Sequence, residues 1–287
     1  MQRAIEVFLR AALLAICTIG GSASIAQSNA KQGEYLATAS GCFNCHTSEK
    51  PNSSPFTGGR ALKTPFGTFY GPNITPHRTA GLGSWTQADF MRAIREGRRP
   101  DGAHYYPAFP YPSFTKMSDT DIQNLWAFMR MIPPDPQPNR AHELRFPFAW
   151  RPLIIIWKWL FFIPGPMIDN PTLTTQQARG AYLVNALGHC SECHTPRNFL
   201  GGPKNSRFLA GGEISEGLVP NLTPTRLKSW SDDALKNFFK TGLTPDGDAT
   251  GDAMDEVVTK ITSKLSPEDL AALIAYLRSL PALPNEK

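Results

Sequence analysis

The sequence predicts an all-α protein in which two tandem copies of one helical domain are joined by a proline-rich linker. Three observations predict this arrangement. Short landmark sequences recur in the same order in both halves, apolar residues recur at helical spacing, and no alternating strand pattern is visible. The 287 residues also suffice for about two domains.

Composition limits the classes of protein that the chain can represent. Hydrophobic residues make up 41% and charged residues 18%, which excludes a disordered acidic tail and a coiled coil. The formal net charge of +5 is modest and argues against a nucleic-acid partner. The 26 prolines are about twice the usual share and predict long irregular stretches between helices.

The first 26 residues have the pattern of a signal peptide. Arg3 and Arg10 precede an apolar run over residues 11–19, and Ser24-Ile25-Ala26 offers a small-residue cleavage site. The alternative, a membrane anchor, needs about 18 to 20 apolar residues, which is more than this run supplies. We therefore expect residues 1–26 to be removed and the remaining chain to be exported.

Two Cys-x-x-Cys-His motifs stand near the start of the two halves, at residues 42–46 and 190–194. This spacing is the attachment site of a c-type haem. Two thiols two residues apart meet the two vinyl groups of one porphyrin as thioethers, and the adjacent imidazole becomes an axial ligand of the iron. The residues predicted to bind two covalent haem c groups are Cys42, Cys45, His46, Cys190, Cys193 and His194.

Other uses of the four cysteines explain less of the pattern. A zinc site would pair two Cys-x-x-Cys motifs about 15 to 20 residues apart, whereas Cys45 and Cys190 are separated by 145 positions. A redox dithiol would accompany a βαβ pattern, which the sequence does not show. Structural disulfides suit an exported protein, but they leave the two histidines unexplained.

The repeated landmarks define the predicted domains. The signal peptide, first domain, linker and second domain are predicted at residues 1–26, 31–132, 133–175 and 176–285. The offset between matching residues is 148 at Pro72 and Pro220 and 145 at Pro100 and Pro245. The matching segments are 33–36 and 180–183, 72–76 and 220–224, 84–85 and 229–230, 100–102 and 245–247, and 116–119 and 264–267.

Both domains are predicted to contain helices in the same order. An amphipathic helix around Leu36 leads into the first haem motif. The capping-box spacing of Ser84 to Gln87 predicts a helix that ends at Gly97. Ser118 and Ser266 are predicted to begin the last helix of each domain. The apolar faces of these helices are formed by Phe90, Met91 and Ile94, by Ile122, Leu125, Trp126 and Met129, and by Leu270, Leu273, Ile274 and Leu277.

The linker contains nine prolines between residues 133 and 171 and an apolar run at residues 153–163. Eleven residues that include a lysine cannot span a bilayer. Two interpretations remain open. The run packs between the two domains, or it is an apolar docking patch for a partner protein or a membrane surface.

A second axial ligand is predicted for each haem iron, because electron-transfer haems commonly pair histidine with methionine. Met254 is the only methionine after residue 194 and is predicted for the second haem. Its counterpart at an offset of 145 is Phe109, which cannot ligate iron. Met117, which aligns with Leu265, is predicted for the first haem. His104 and an open position are the alternatives.

Further residues suit the surroundings of a haem. Indole donors and basic groups near the propionates, and polar groups at the haem edge, are predicted at Trp85, Trp230, Arg60, Arg98, Asn73, Thr75, Asn221 and Thr223. The other histidines, His77, His142 and His189, are predicted to be surface residues or to support the ligands indirectly.

The motifs at residues 64–67, 72–76, 106–111 and 188–198 carry a resemblance that covers nearly the whole predicted mature chain. The chain resembles a diheme cytochrome c of the family that contains the cytochrome c subunits of bacterial membrane-bound alcohol, gluconate and related dehydrogenases. The resemblance implies two tandem cytochrome c-like domains. The well-known dehydrogenase subunits have three haems, whereas this sequence has two motifs, and some relatives have methionine at the position of Phe109.

The resemblance and the motifs together predict a periplasmic diheme cytochrome that passes electrons from a dehydrogenase to quinone, an oxidase or another cytochrome. Peripheral association with the outer face of the inner membrane is a further expectation. No catalytic triad, metal-hydrolase motif or phosphate loop is visible, so the chain need not catalyse a reaction itself. The alternative is a diheme redox enzyme, such as a thiosulfate dehydrogenase or a peroxidase, which would need one iron with an exchangeable or unusual sixth ligand.

Overall fold

A computed structural model describes residues 27–215 and 217–285, so the predicted signal peptide lies outside the described residues. The first half contains a helix at 27–39 (α1), then α2 (Cys42–His46), β1 (Ala61–Thr64), β2 (Gly67–Tyr70), α3 (Gln87–Glu96), α4 (Tyr111–Phe114) and α5 (Asp119–Met129). The linker contains β3 (Glu143–Leu144) and α6 (Pro152–Phe161).

The second half repeats the order of the first. It contains α7 (Thr175–Tyr182), which a π-helix at Leu183–Leu187 continues, then α8 (Ser191–His194), a 3-10 turn at Asn205–Arg207, β4 (Gly212–Ile214), β5 (Gly217–Val219), α9 (Pro224–Leu227), α10 (Asp232–Thr241), α11 (Asp252–Lys260), a 3-10 turn at Thr262–Lys264 and α12 (Pro267–Ser279). Helices dominate both halves, and their buried apolar residues form one continuous core cluster.

The prediction of a purely helical chain requires a correction, because the described residues include two small antiparallel sheets. Strands β1 and β2 form a hairpin in which Gly67 has a φ of 125°, and β4 and β5 form its counterpart with Gly217 at 130°. Strands of three or four residues are too short to show a reliable alternation of apolar and polar side chains. Sequence periodicity therefore misses both hairpins.

Capping side chains begin the principal helices. Ser118 and Ser266 cap α5 and α12 as predicted, and Pro267 occupies the first turn of α12. The predicted start of α3 was two residues early. The N-cap is Thr86, whose hydroxyl accepts from the Asp89 amide while the Asp89 carboxylate accepts from the Thr86 amide. The left-handed Gly97 ends α3 as expected.

The linker is fixed to the first domain along most of its length. Strand β3 pairs with β2, so the chain returns to the first domain before α6 begins. Lys158 on α6 is buried, and its ammonium donates to the carbonyls of Glu96 and Gly97 at the end of α3. Burial lowers the pKa of Lys158 to about 8.

Within the described residues, no helix has both the length and the apolar character required to cross a bilayer.

Close helix crossings define the frame of each domain. At Gly33, a Cβ would lie 2.0 Å from the Asn124 carbonyl oxygen on α5. At Gly180, it would lie 1.9 Å from the Ala272 carbonyl oxygen on α12. The first helix of each domain therefore approaches the last helix backbone to backbone. Only glycine permits this separation.

Two tyrosines exchange equivalent contacts between the domains. Tyr35 on α1 donates to Asp269 Oδ2 at 2.6 Å and accepts from the Ser266 amide at 3.2 Å. Tyr182 on α7 donates to the Asp121 carboxylate and accepts from the Ser118 amide at 2.9 Å. Each tyrosine therefore binds the start of the other domain's last helix. The contacts that the two halves make with each other are therefore reciprocal at these positions.

Replacing Gly180 by alanine should separate α7 from α12, because its Cβ has no space beside Ala272. We expect Gly180→Ala to lower the free energy of unfolding by about 1 to 3 kcal/mol, the usual cost of overpacking. Chemical denaturation measures this loss. Gly251→Ala is the control, since no atom lies within 4 Å of its Cβ position. Equal losses in both variants would contradict the close-crossing argument.

The Asp269 carboxylate should stabilise the domain interface in a pH-dependent manner. Burial raises its pKa, but hydrogen bonds from Arg179 and Tyr35 outweigh burial, so the pKa lies below its ordinary value. A depressed pKa means that the stabilisation is present above about pH 4 and is lost as pH falls through the folded-state value. Asp269→Asn should therefore cost about 1.5 to 3 kcal/mol at pH 7.

The same comparison at low pH tests the origin of this cost. The stability difference between wild type and Asp269→Asn should begin to shrink as pH falls below about 4, the ordinary carboxyl pKa, and should continue to shrink until the pH passes the depressed folded-state value, below which the wild-type carboxyl is also neutral. Denaturation curves from pH 3 to pH 7 provide the measurement. Asp101→Asn removes a more exposed ion pair with Arg99 and should change stability by less than about 1 kcal/mol. A pH-independent cost at Asp269 would count against the charge pair.

Candidate haem sites

The histidine of each Cys-x-x-Cys-His motif is oriented by the same backbone contact. Helix α2 ends at His46, whose Nδ1 donates to the Pro72 carbonyl at 2.7 Å, and α8 ends at His194, whose Nδ1 donates to the Pro220 carbonyl at 2.7 Å. A neutral imidazole that donates from Nδ1 leaves Nε2 as its lone-pair donor. Both motifs therefore present the nitrogen that an iron requires.

Burial keeps both imidazoles neutral. It lowers the pKa of His46 below the ordinary value, and it lowers the pKa of His194 to about 4, partly offset by the hydrogen bond to Pro220. A neutral imidazole is the form that binds metals. The histidines therefore do not have to lose a proton at neutral pH before they can act as ligands.

The repeated Pro-Asn-x-Thr-Pro segments hold the two accepting carbonyls in place. Asn73 Oδ1 accepts from the Thr75 amide at 2.9 Å, while its Nδ2 donates to backbone carbonyls of the linker. Asn221 Oδ1 accepts from the Thr223 amide at 2.7 Å, and its Nδ2 donates to the Leu283 carbonyl. In the structure, both asparagines use their amide groups to fix the segment that supports each histidine. Their position at the haem edge stays a prediction.

The motif cysteines Cys42, Cys45 and Cys190 form no disulfide in the structure. Burial raises the pKa of Cys42 and of Cys190 to about 12, and it raises the pKa of Cys45 to about 11. Among the described residues, no group of three or more His, Cys, Asp or Glu side chains is placed to hold a metal ion. The paired thiols beside each histidine are therefore better suited to thioether attachment of a porphyrin than to a thiolate metal site.

Two buried hydroxyls support the presence of a further group in the first half. Ser40, two positions before Cys42, and Tyr111, on α4, are fully or almost fully buried. Neither hydroxyl has a hydrogen-bond partner among the described residues. An unsatisfied buried polar group costs about 1 to 3 kcal/mol. A bound porphyrin with its polar substituents would offer such groups a partner, so the residues present fit a haem.

The two motifs lie directly against each other across the domain interface. A Cβ on Gly41, which precedes Cys42, would lie 3.9 Å from His189 Cε1, which precedes Cys190. The Phe114 ring packs edge-on against His189 at 5.4 Å. His189, predicted as a surface or supporting residue, is therefore part of the contact between the two sites. The signal for it was its position immediately before the second motif.

In each domain, the segment that follows α3 or α10 contacts the other domain near its haem motif. Glu256 on α11 forms a bidentate pair with Arg60 of the first domain, at 2.9 and 2.8 Å. Ser113 on α4 donates to Glu192 Oε1 within the second motif at 2.9 Å. Arg60 was predicted to offset propionate charge, and the structure shows that its guanidinium joins the two domains. This role could not be read from the sequence, because its partner lies 196 positions away.

The two predicted methionine ligands differ in burial. Met254, near the start of α11, is part-buried against the core, and so is Phe109. Met117 is completely buried within the core. His104 contacts Lys158 through Nδ1 at 3.0 Å. Met254 and Met117 remain predictions as iron ligands.

Comparison with known proteins agrees with these features. The family model described as "Cytochrome c" matches residues 30–133 and 156–281, one segment for each half. A "Diheme cytochrome c-type" protein of Cereibacter sphaeroides is 42% identical over 259 residues, which cover 88% of this chain and 86% of the relative.

Two further relatives are named as subunits of dehydrogenases. The alcohol dehydrogenase (quinone) cytochrome c subunit of Gluconobacter oxydans is 40% identical over 90% of this chain and 56% of the relative. The gluconate 2-dehydrogenase cytochrome c subunit of Pantoea cypripedii is 37% identical over 88% of this chain and 59% of the relative. The chain thus spans somewhat more than half the length of these two subunits.

Proposed function

Because the chain belongs to the cytochrome c family and carries two covalently bound haem c groups, we propose that it passes electrons from a dehydrogenase to a respiratory acceptor in the periplasm. The acceptor is quinone, an oxidase or another cytochrome. When bound, each haem iron would take up and release one electron. The chain's own residues attach the haems, orient the ligand histidines and set the spacing between the two sites.

The contact between the two haem motifs is the observation that carries this proposal. Gly41 and His189 precede the two motifs and face each other across the interface. Arg60 and Glu256 fix this arrangement from one side, and Ser113 and Glu192 fix it from the other. Two redox groups held this closely by one rigid chain suit a relay. An electron can then enter at one domain and leave at the other.

The dehydrogenase partner is inferred from the relatives. Proteins about 40% identical over most of this chain are cytochrome c subunits of alcohol, fructose and gluconate dehydrogenases. The proposed location outside the cytoplasm is supported by the chemistry, since covalent haem attachment in bacteria occurs there. The predicted signal peptide supports the same location.

Removing one pair of cysteines tests both the cofactor content and the relay. We expect two haems per chain in wild type, and one in Cys42→Ala/Cys45→Ala and in Cys190→Ala/Cys193→Ala. The pyridine haemochrome spectrum and the intact mass measure this.

In host membranes, alcohol, gluconate or fructose should reduce wild-type haem.

Each single-haem variant should fail to pass these electrons on to oxygen. The matched control is a Ser191→Ala variant, which leaves every cysteine in place. Reduction of wild-type haem by none of the three substrates would contradict the dehydrogenase partner. Full electron flow through a single-haem variant would contradict the relay.

The outer face of α6 supports peripheral association with a membrane. Ile154 and Lys158 face inward, whereas Ile155 and Trp159 on α6, and Ile163 two residues beyond its end, are 54%, 84% and 88% exposed. A contiguous exposed patch of tryptophan and aliphatic side chains marks a surface that contacts a membrane or a partner. One face of α6 packs between the domains, because Lys158 contacts the end of α3 and Trp157 donates to the Leu200 carbonyl of the second domain at 3.1 Å. The other face remains apolar and exposed, which supports its proposed role as a docking patch.

Substituting the exposed face of α6 should release the protein from lipid. We expect Trp159→Ser/Ile163→Ser to reduce binding to phosphatidylethanolamine–phosphatidylglycerol vesicles at least severalfold in a flotation assay. Each substitution removes apolar area that the wild-type side chain would bury in the lipid. Leu218→Ser is the control, since Leu218 is 88% exposed but lies on β5 in the second domain. Equal binding by both variants would exclude α6 as the membrane contact.

A further inference from the structure

The loops that follow α3 and α10 contain the same backbone bridge in both domains. An isolated antiparallel bridge joins Arg98 to His104 in the first domain, and one joins Leu243 to Ala249 in the second. Both pairs are separated by the same offset of 145 residues. The structure therefore confirms independently the offset that the sequence repeat indicates at Pro100 and Pro245.

The same offset holds at the position of the predicted methionine ligand. The Phe109 amide donates to the Tyr106 carbonyl at 3.0 Å, and the Met254 amide donates to the Gly251 carbonyl at 3.1 Å. Both side chains are part-buried against the core. Phe109 is therefore the structural counterpart of Met254.

Met117 matches a different residue of the second domain. Its amide donates to the Phe114 carbonyl at 3.0 Å, as the Leu265 amide donates to the Thr262 carbonyl at 3.2 Å, now at an offset of 148. Both residues are buried, with exposures of 0% and 5%. Met117 thus fills a position that an aliphatic side chain fills in the other domain, where a sulfur ligand is not needed.

Aromatic side chains replace the sulfur in the first domain. The Phe109 ring packs against the rings of Tyr105 and Phe114, with centroid distances of 5.4 and 5.8 Å. The counterpart of Tyr105 at the same offset is Thr250, so this cluster is specific to the first domain. A phenyl ring has no lone pair to donate to a metal, and it forms an apolar wall.

We propose that Phe109 leaves the first haem site without the methionine that Met254 would supply to the second, and that the first site would admit a small diatomic ligand beside the Phe109 ring. The ligand class is a neutral or anionic diatomic such as carbon monoxide on the reduced iron and cyanide on the oxidised iron. An apolar aromatic wall favours such a compact ligand over a charged organic one. Binding forms one coordination bond and transfers no electron. The inference rests on the proposed function, because it requires both haems.

Carbon monoxide binding to the reduced full-length protein tests the proposal. We expect wild type to bind one equivalent per chain, Phe109→Met to bind none, and Met254→Phe to bind two. The near-infrared band of oxidised protein, which reports a methionine–iron bond, should double in Phe109→Met and vanish in Met254→Phe. Met117→Leu, which copies Leu265, should leave both the band and the stoichiometry unchanged.

Specific results would overturn the proposal. A wild type that binds no carbon monoxide, with a site opened by Met117→Leu, would identify Met117 as the ligand. A site opened by His104→Ala would identify His104 instead. A haem content below two per chain in wild type would refute the proposed function itself, and haemochrome analysis of the same samples distinguishes that failure from the other two.

Discussion

The hydrogen bond between each motif histidine and a proline carbonyl is the contact on which both sites depend. It connects α2 to the segment after β2, and α8 to the segment after β5, with the same 2.7 Å distance in each half. Without it the imidazole ring could rotate or adopt the other tautomer, and Nε2 would have no fixed direction. The asparagine one residue further on and the threonine three residues further on are hydrogen-bonded to each other and hold that carbonyl in place.

The domain interface transmits this arrangement from one half to the other. Gly33 and Gly180 set the distance between the first and last helices, and the tyrosines on those first helices then reach the opposite domain. The same geometry brings Gly41 against His189. The spacing of the two sites is therefore a result of how the helices cross, and it does not depend on the linker alone.

Sequence reasoning was most successful where the chemistry is local. Two Cys-x-x-Cys-His motifs, the caps Ser118 and Ser266, and the order of the repeated landmarks could all be read within a few residues. The hairpins were missed because each strand has only three or four residues. The pairing of Arg60 with Glu256 could not be predicted, since it depends on how the two halves pack against each other. Matching Phe109 to Met254 needed only the offset, but assigning Met117 required knowledge of its burial.

The reciprocal contacts between the halves are those of an isologous interface, although both surfaces belong to one chain. In a homodimer, a single codon sets both copies of a residue, so neither copy can change alone. Tandem fusion removes that restriction. Gly41 in one half can correspond to His189 in the other, and Phe109 can correspond to Met254, while the shared helical frame is kept. A duplicated gene thus permits two inequivalent metal environments within a nearly symmetric body.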